Sequence, residues 1–489
     1  MTPRPLPSAR TGGPGPALAF ALVLLAALPL RAQTPAPEIA PAPDAATPAA
    51  ALADPGAAPR ADALTLEQCY REALRSDPAI RLAASGFEAA TGAKLLLQSR
   101  ALPRLGVGVE AGQQGPREES AGRHSRLFFL VTGTFDQALF DASIPAAFRR
   151  GRIGLAIAEQ DFNRAVAGEL YALRIDFYNA LNARANVEVQ ESTVQLLQAN
   201  LDSQENQYKV GKVPHRAVRQ AEVQLAALQP GLAAARGAYL QARIDLARRL
   251  GRDLSAASAH DADQGLPVPA GTLESDPPHI DLAAEGAYAL AHRPDLLSLR
   301  QLIAATAAEK TMAEAGYWPK IDLVGNLQYI PAKNIKKSGT IVQPGNENEE
   351  SEILIGGSLS WQVIDTGTVR GQAVNLQAIG EGYKIDLQRM EDDVPRQLRQ
   401  VQHAVALAAS KLEGTEQNVA LAGENFRLVA AQVANGDLPQ LDFLNAQSNL
   451  LQARFNRLNA LLENNIAAAQ LDVVTGRYLE FVGAPPAAR

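Results

Sequence analysis

The chain carries the same pattern twice, and this duplication constrains the fold more than any other feature. Pro78 follows Arg75-Ser76-Asp77 and Pro294 follows Ala291-His292-Arg293, an offset of 294 − 78 = 216. Pro103 and Pro319 repeat that spacing, since 319 − 103 = 216. Asp141 and Asp365 lie 365 − 141 = 224 apart. Gly211 with Gly436, Pro214 with Pro439, and Gly251-Arg252 with Gly476-Arg477 are all separated by 225, as 436 − 211 = 225 shows. An offset that holds over such a distance and grows chiefly at one loop is the mark of an internal repeat. The first copy is read at 64–252 and the second at 280–477, with a linker at 253–279 and a tail at 478–489.

Within each copy the expected order is short helix, helix, strand, strand, very long helix, turn, long helix. The long helices are placed at about 143–210 and 214–251, then 368–435 and 439–475. A helix of that length is marginal alone and needs a partner along its whole length. The partner is written in the spacing. Val401, Val405, Ala408, Leu412, Thr415, Val419, Ala422, Phe426, Val429 and Val433 alternate steps of four and three. That is the 3.5-residue period of a supercoiled seam. Subtracting 225 gives a weaker seam from Asp176 to Tyr208 in the first copy. Val218 to Leu246 and Phe443 to Val474 carry the returning seams, the latter interrupted by Arg457 and Asn464.

Two strand pairs separate the helices, at about 104–113 with 125–137 and 319–331 with 351–363. Ile321, Leu323, Leu327 and Tyr329 alternate with Asp322, Asn326 and Gln328, and Ile353, Ile355, Leu359 and Trp361 alternate with polar residues. Period two over roughly ten residues fits tilted outer-membrane strands. Trp318, Tyr329 and Trp361 fall near strand ends, where interfacial aromatics belong. Four strands cannot close a barrel alone, and an open edge in lipid leaves backbone groups unpaired. Three chains would supply twelve strands.

The N-terminus reads as an address. Arg4 and Arg10 precede an uncharged apolar run, Ala17 to Leu30. That suits a signal peptide over 1–32 and is too short for a spanning helix; an N-terminal anchor is the alternative. Segment 33–63 is rich in Pro and Ala and is expected to be a flexible lead-in. Cys69 is the single cysteine, so no intrachain disulfide can form, and it reads as a small semi-buried residue of a short helix.

The chemistry-bearing residues do not converge. Net charge is −6 with basic residues scattered, which gives no nucleic-acid footprint. His124, His215, His260, His279, His292 and His403 lack zinc-ligand spacing, and no phosphate-binding loop or nucleophile elbow is present. No catalytic residue, metal or cofactor is therefore expected.

Gln207-Tyr208-Lys209-Val210-Gly211-Lys212-Val213, the stretch from Gln432 through Asn435-Gly436-Asp437 to Ala446, and Trp361 to Asp365 with Gly367 and Arg370 resemble the TolC family of outer-membrane efflux proteins. The resemblance covers about 64–477. It implies a mostly helical homotrimer with a twelve-stranded β-barrel in outer-membrane lipid and a twelve-helix periplasmic α-barrel. The implied role is the passive exit duct of a tripartite efflux pump or type I secretion system. Its implied partners are a periplasmic adaptor and an inner-membrane pump or ABC transporter. The turns at Val210, Gly211, Lys212, Asn435 and Gly436 would meet the adaptor. Asp442, with Asn445 and Asp437 nearby, would line the constricted periplasmic mouth, although the family pattern has a second acid where Asn445 stands. The competing reading is a non-conducting periplasmic coiled-coil protein or adhesin.

Overall fold

The computed structural model describes residues 63–114, 126–252, 265–330, 350–435 and 437–478. The expected signal segment 1–32, most of the lead-in 33–63, the first part of the linker 253–279, Gly436 and nearly all of the tail 478–489 lie outside the described residues.

The elements are β1 (Ala63–Leu64), α1 (Leu66–Ser76), α2 (Pro78–Gln98), β2 (Arg104–Gln114), β3 (Arg126–Phe140), α3 (Ile144–Lys209), α4 (His215–Arg249), β4 (Val268–Pro269), α5 (Leu282–His292), α6 (Pro294–Glu314), β5 (Lys320–Ile330), β6 (Glu350–Ser360), α7 (Thr368–Asn435) and α8 (Gln440–Thr475). Short 3₁₀ turns link α2 to β2 and α6 to β5. β3 runs three residues beyond the expected 137, and β6 stops at Ser360, three short of the expected 363.

Each copy opens with two short helices divided by a single residue. The residue before a proline is pushed out of the helical region. Asp77 (φ −60°, ψ 124°) and Arg293 (φ −62°, ψ 123°) are therefore extended, which ends α1 and α5 and starts α2 and α6. Asp77 also caps α2, accepting from the N–H groups of Ala79 at 2.6 Å and Ile80 at 3.2 Å. Thr65 and Gln68 form a reciprocal capping box on α1.

The long helices α3 and α7 contain 66 and 68 residues, so each extends roughly 100 Å at 1.5 Å per residue. α4 packs along α3, α8 along α7, and α3 lies against α8. All ten seam residues of α7 from Val401 to Val433 are buried or half-buried while most of their neighbours are exposed. In α3 the correction is Tyr208, which is 45% exposed. The helix ends one residue later, and the Tyr208 ring turns onto His215 across the turn, with centroids 5.3 Å apart. Arg457 of the α8 seam pairs with Glu416 at 3.1 Å. Asn464 is buried, and its neighbour Asn465 donates to the Glu274 carbonyl at 2.8 Å, tethering the linker.

Two cores form where the short helices pack on the long ones. Cys69, Tyr70, Leu170, Leu173, Phe177, Leu246 and Tyr478 belong to the first. Leu296, Val394, Leu398, Ala467 and Leu471 belong to the second. Both repeats end in a glycine of left-handed conformation, Gly251 (φ 67°) and Gly476 (φ 83°). After the first, Arg252 donates two bonds to Glu72 of α1, at 2.6 and 2.9 Å. After the second, Arg477 does the same to Glu285 of α5, at 3.2 and 2.9 Å. Each repeat is thus clamped end to beginning by a bidentate guanidinium–carboxylate pair. Between the repeats, Arg174 of α3 reaches Asp472 of α8 at 2.5 Å and donates to the Tyr178 hydroxyl at 2.7 Å. Burial raises the Tyr70, Tyr178 and Tyr478 phenols, so these rings stay neutral around the one cation.

Gly251 and Gly476 should respond differently to alanine. A Cβ on Gly251 would sit 2.5 Å from the Ser76 carbonyl oxygen, whereas on Gly476 the nearest atom is 3.6 Å away. Gly476→Ala carries only the left-handed backbone penalty, about 1–2 kcal/mol. Gly251→Ala adds a steric clash and should lower the denaturation midpoint further. Equal midpoints would show that the Ser76 contact is slack. Burial, reinforced by Glu72, pushes the Cys69 thiol up to about 12. Cys69 should therefore resist maleimide at pH 8 in the native protein and label fully after denaturation, as read by intact mass.

Candidate functional site: the sheet wall and the helical turns

The four main strands form one antiparallel sheet in the order β2-β3-β5-β6. The two hairpins have matching registers. Arg104 pairs with Asp136 and Lys320 with Ser360, so the duplication offset is 216 for the first strands and 360 − 136 = 224 for the second. β3 pairs with β5 to join the copies, Val131 opposite Tyr329 and Thr134 opposite Asn326, with a bulge between Ala138 and Phe140. Among the described residues β2 and β6 are left as unpaired edges.

Pairing places alternate residues on two opposed faces. One face carries Leu105, Val107, Val109, Phe135, Ile321, Leu323, Leu327, Tyr329, Ile353, Ile355 and Leu359. The other carries Arg104, Gly106, Gly108, Glu110, Thr132, Thr134, Asp136, Lys320, Asp322, Asn326, Ser358 and Ser360, with Leu130, Val324 and Leu354 among them. The apolar face is half-buried on β3 and β5 and bare on the edge strands β2 and β6. Val107 is 74% exposed and Ile355 73%. A contiguous exposed apolar surface is tolerated only where something apolar meets it. On the polar face Lys320 pairs with Asp322 at 3.1 Å.

The aromatics frame this wall. Trp318 and Trp361 are both exposed at the end where the sheet meets the helices, and the Trp361 indole donates to the Tyr317 carbonyl at 3.1 Å. Tyr329, at the far end of β5, is half-buried. The eleven residue-to-residue steps from Trp318 to Tyr329 span about 36 Å along the strand, or about 25 Å vertically at the usual 45° tilt, which matches an outer-membrane apolar band. Among the described residues no helix is long and apolar enough to cross a membrane.

At the opposite end of the long helices, the first turn is built on a glycine C-cap. Gly211 (φ 73°) donates to the Tyr208 carbonyl at 2.9 Å, and Lys212 to Gln207 at 2.8 Å. Asp437 repeats the second bond, donating to the Gln432 carbonyl at 2.9 Å. These are the paired bonds of a Schellman motif in the first turn and its outer bond in the second. Val210, Gly211, Lys212 and Asn435 are exposed, and Gly436 lies outside the described residues. Asp442 sits half-buried in the first turn of α8, its N–H bonded to the Pro439 carbonyl at 3.0 Å. Asn445, three residues on, is exposed on the same side of the helix, and Asp437 is exposed in the turn. The expected mouth residues are thus gathered at one helix end, with Phe426 and Phe443 packed beneath them at 5.3 Å.

Three features escaped the sequence reading. The Glu72 and Glu285 partners of the repeat-closing arginines are offset by 285 − 72 = 213, out of step with the duplication. The Arg174–Asp472 pair links residues with no sequence cue to each other. Leu82, Leu95 and Leu96 of α2 lie exposed at 73, 60 and 73%, a face that periodicity alone would assign to a core.

A bare apolar sheet face backed by a polar one, rimmed by aromatics and set on helices roughly 100 Å long, is the wall of a membrane channel with a long extension. The model of the outer membrane efflux protein family matches residues 69–252 and 287–477. The chain is 22% identical over 424 residues to the alkaline protease secretion protein AprF of Pseudomonas aeruginosa, covering 84% of this chain and 82% of that one. It is 21% identical over 405 residues to the outer membrane protein TolC of Escherichia coli, covering 81% and 78%. The crystal structure of the outer membrane protein VceC of Vibrio cholerae superposes with a TM-score of 0.65 at 19% identity, over 84% of this chain and 96% of that one. The chain belongs to the outer membrane efflux protein family, a channel of the outer membrane reaching into the periplasm rather than an enzyme.

Proposed function

We propose that three copies of this chain close into one duct, the passive exit of a tripartite efflux pump or type I secretion system. The observation that carries this reading is the sheet with an exposed apolar face and two unpaired edges. In lipid each unpaired backbone group costs several kcal/mol, so the edges must meet strands of other copies. Three copies give twelve strands and an even-numbered barrel. The polar face then lines the lumen. The secretion role named for AprF supports export of cargo. A periplasmic adaptor would meet the exposed turns at Val210, Gly211, Lys212, Asn435 and Gly436, and an inner-membrane pump or ABC transporter would drive transport. Trp318, Tyr329 and Trp361 would sit at the two membrane–water boundaries.

The test is fractionation followed by native mass measurement in mild detergent. An outer-membrane species at three times the chain mass supports the duct; a soluble monomer removes it. The two sheet faces make a sharper expectation. Ile355→Arg places a charge on the lipid side near mid-strand and should destabilise the assembled barrel by roughly 2–4 kcal/mol. Asn326→Arg, on the lumen side at the same level, should leave assembly intact and shift ion selectivity toward anions. Heat-modifiable gel mobility and planar-bilayer recording separate the two.

Asp442 would form a ring of three carboxylates at the periplasmic mouth, which favours cations and holds the opening narrow. In bilayers Asp442→Ala should raise single-channel conductance and weaken cation preference. Identical conductance and selectivity would take Asp442 out of the constriction.

A further inference from the structure

Resting on the duct reading above, we infer that the first helical turn, and not its copy in the second repeat, anchors an acidic partner, a periplasmic protein presenting carboxylates at the tip of a helical hairpin. The two turns are equivalent by duplication and opposite in charge. Residues 209–219 contain Lys209, Lys212, Arg216 and Arg219 and no acid, whereas 434–444 contain Asp437 and Asp442 and no Lys or Arg. Lys212 and Asp437 hold the same place in the two copies, since 437 − 212 = 225. All four cations are exposed. Arg219 pairs with Glu222 at 2.8 Å, while Lys209, Lys212 and Arg216 form no ion pair among the described residues.

Helix stability does not account for this cluster. A helix carries partial positive charge at its N-terminus and partial negative charge at its C-terminus. Lys209, in the last turn of α3, is well placed by that rule. Arg216 stands in the first turn of α4, which holds no acid, and there the dipole opposes it. Asp442, in the first turn of α8, obeys the rule. The apolar part of the patch is just as one-sided. Tyr208 is 45% exposed and Val210, between Lys209 and Lys212, is 69% exposed. Their copies are Val433, half-buried in its seam, and the polar Asn435. An exposed aromatic and an aliphatic residue rimmed by cations have the composition of a protein-binding patch. A lipid surface takes a long apolar helix face, which one turn does not offer. The occupant is therefore a protein, and the unpaired cations select carboxylates. Asp437 and Asp442 repel the same carboxylates, so in the trimer three of the six turns carry the contact.

The test uses the full chain in mild detergent and two synthetic disulfide-stapled helical hairpins, identical except for a Glu-rich or a Lys-rich tip. Fluorescence anisotropy should show the Glu-tipped hairpin binding, less tightly as salt rises, and the Lys-tipped hairpin binding more weakly. Lys212→Glu with Arg216→Glu should weaken the Glu-tipped hairpin roughly tenfold. Asp437→Lys, the equivalent place in the other turn, should not weaken it. Equal affinity for the two hairpins, no binding of either, or unchanged affinity in the double variant overturns the inference. Flotation with phosphatidylglycerol vesicles, lost in the double variant and without hairpin binding, overturns it by assigning the patch to lipid. Each of these outcomes leaves the duct standing when the chain keeps its trimer mass and its conductance in planar bilayers. A soluble monomer overturns the duct reading itself.

Discussion

A peptide group cannot be left without a hydrogen-bond partner in hydrocarbon, and this architecture follows from that constraint. β2 and β6 each present a row of unpaired backbone groups, and the sheet between them is too narrow to curl onto itself. At several kcal/mol per orphaned group, the edges outweigh the net stability of a typical domain. In the proposed duct those edges meet strands of other copies. Its apolar side chains face outward, the reverse of a soluble sheet, so the barrel wall has no core of its own.

Duplication supplies two matched hairpins, β2 with β3 and β5 with β6, which β3 and β5 join within the chain. The two halves also meet through Arg150 with Glu309 and Ser298 with Asp161. Leu82 on α2 and Val374 and Ile385 on α7 are exposed.

Between barrel and turns, the short helices hold the long ones in register. The bidentate pairs Arg252–Glu72 and Arg477–Glu285 close each repeat, and Arg174–Asp472 ties one repeat to the other. All lie around the two apolar cores, where partial burial strengthens charge-assisted bonds relative to the exposed pairs along the helices. Above them the sheet is held by backbone pairing. Below them α3 and α7 depend on a seam of small and medium side chains, thinning toward Tyr208 and Val433. Packing is therefore densest at the middle of the molecule and sparsest at the turns proposed to meet a partner.

Local rules in the sequence determined the order of elements, their periods and their stops. The four-three spacing from Val401 to Val433, the extended residues before Pro78 and Pro294, and the capping glycines at 211, 251 and 476 each act within a few residues of themselves. Alternation along Ile321 to Tyr329 likewise separated the two sheet faces, and the clustered Asp437, Asp442 and Asn445 were legible because they sit beside a turn. Tyr208 departs from the seam because the helix ends beneath it. Only the tertiary structure decided which carboxylate each arginine meets, that Leu82 and Leu96 remain uncovered, and that β3 rather than β2 joins the halves. Those outcomes depend on which distant segments share a surface, and side-chain contacts over 100 residues or more leave no periodic trace along the chain.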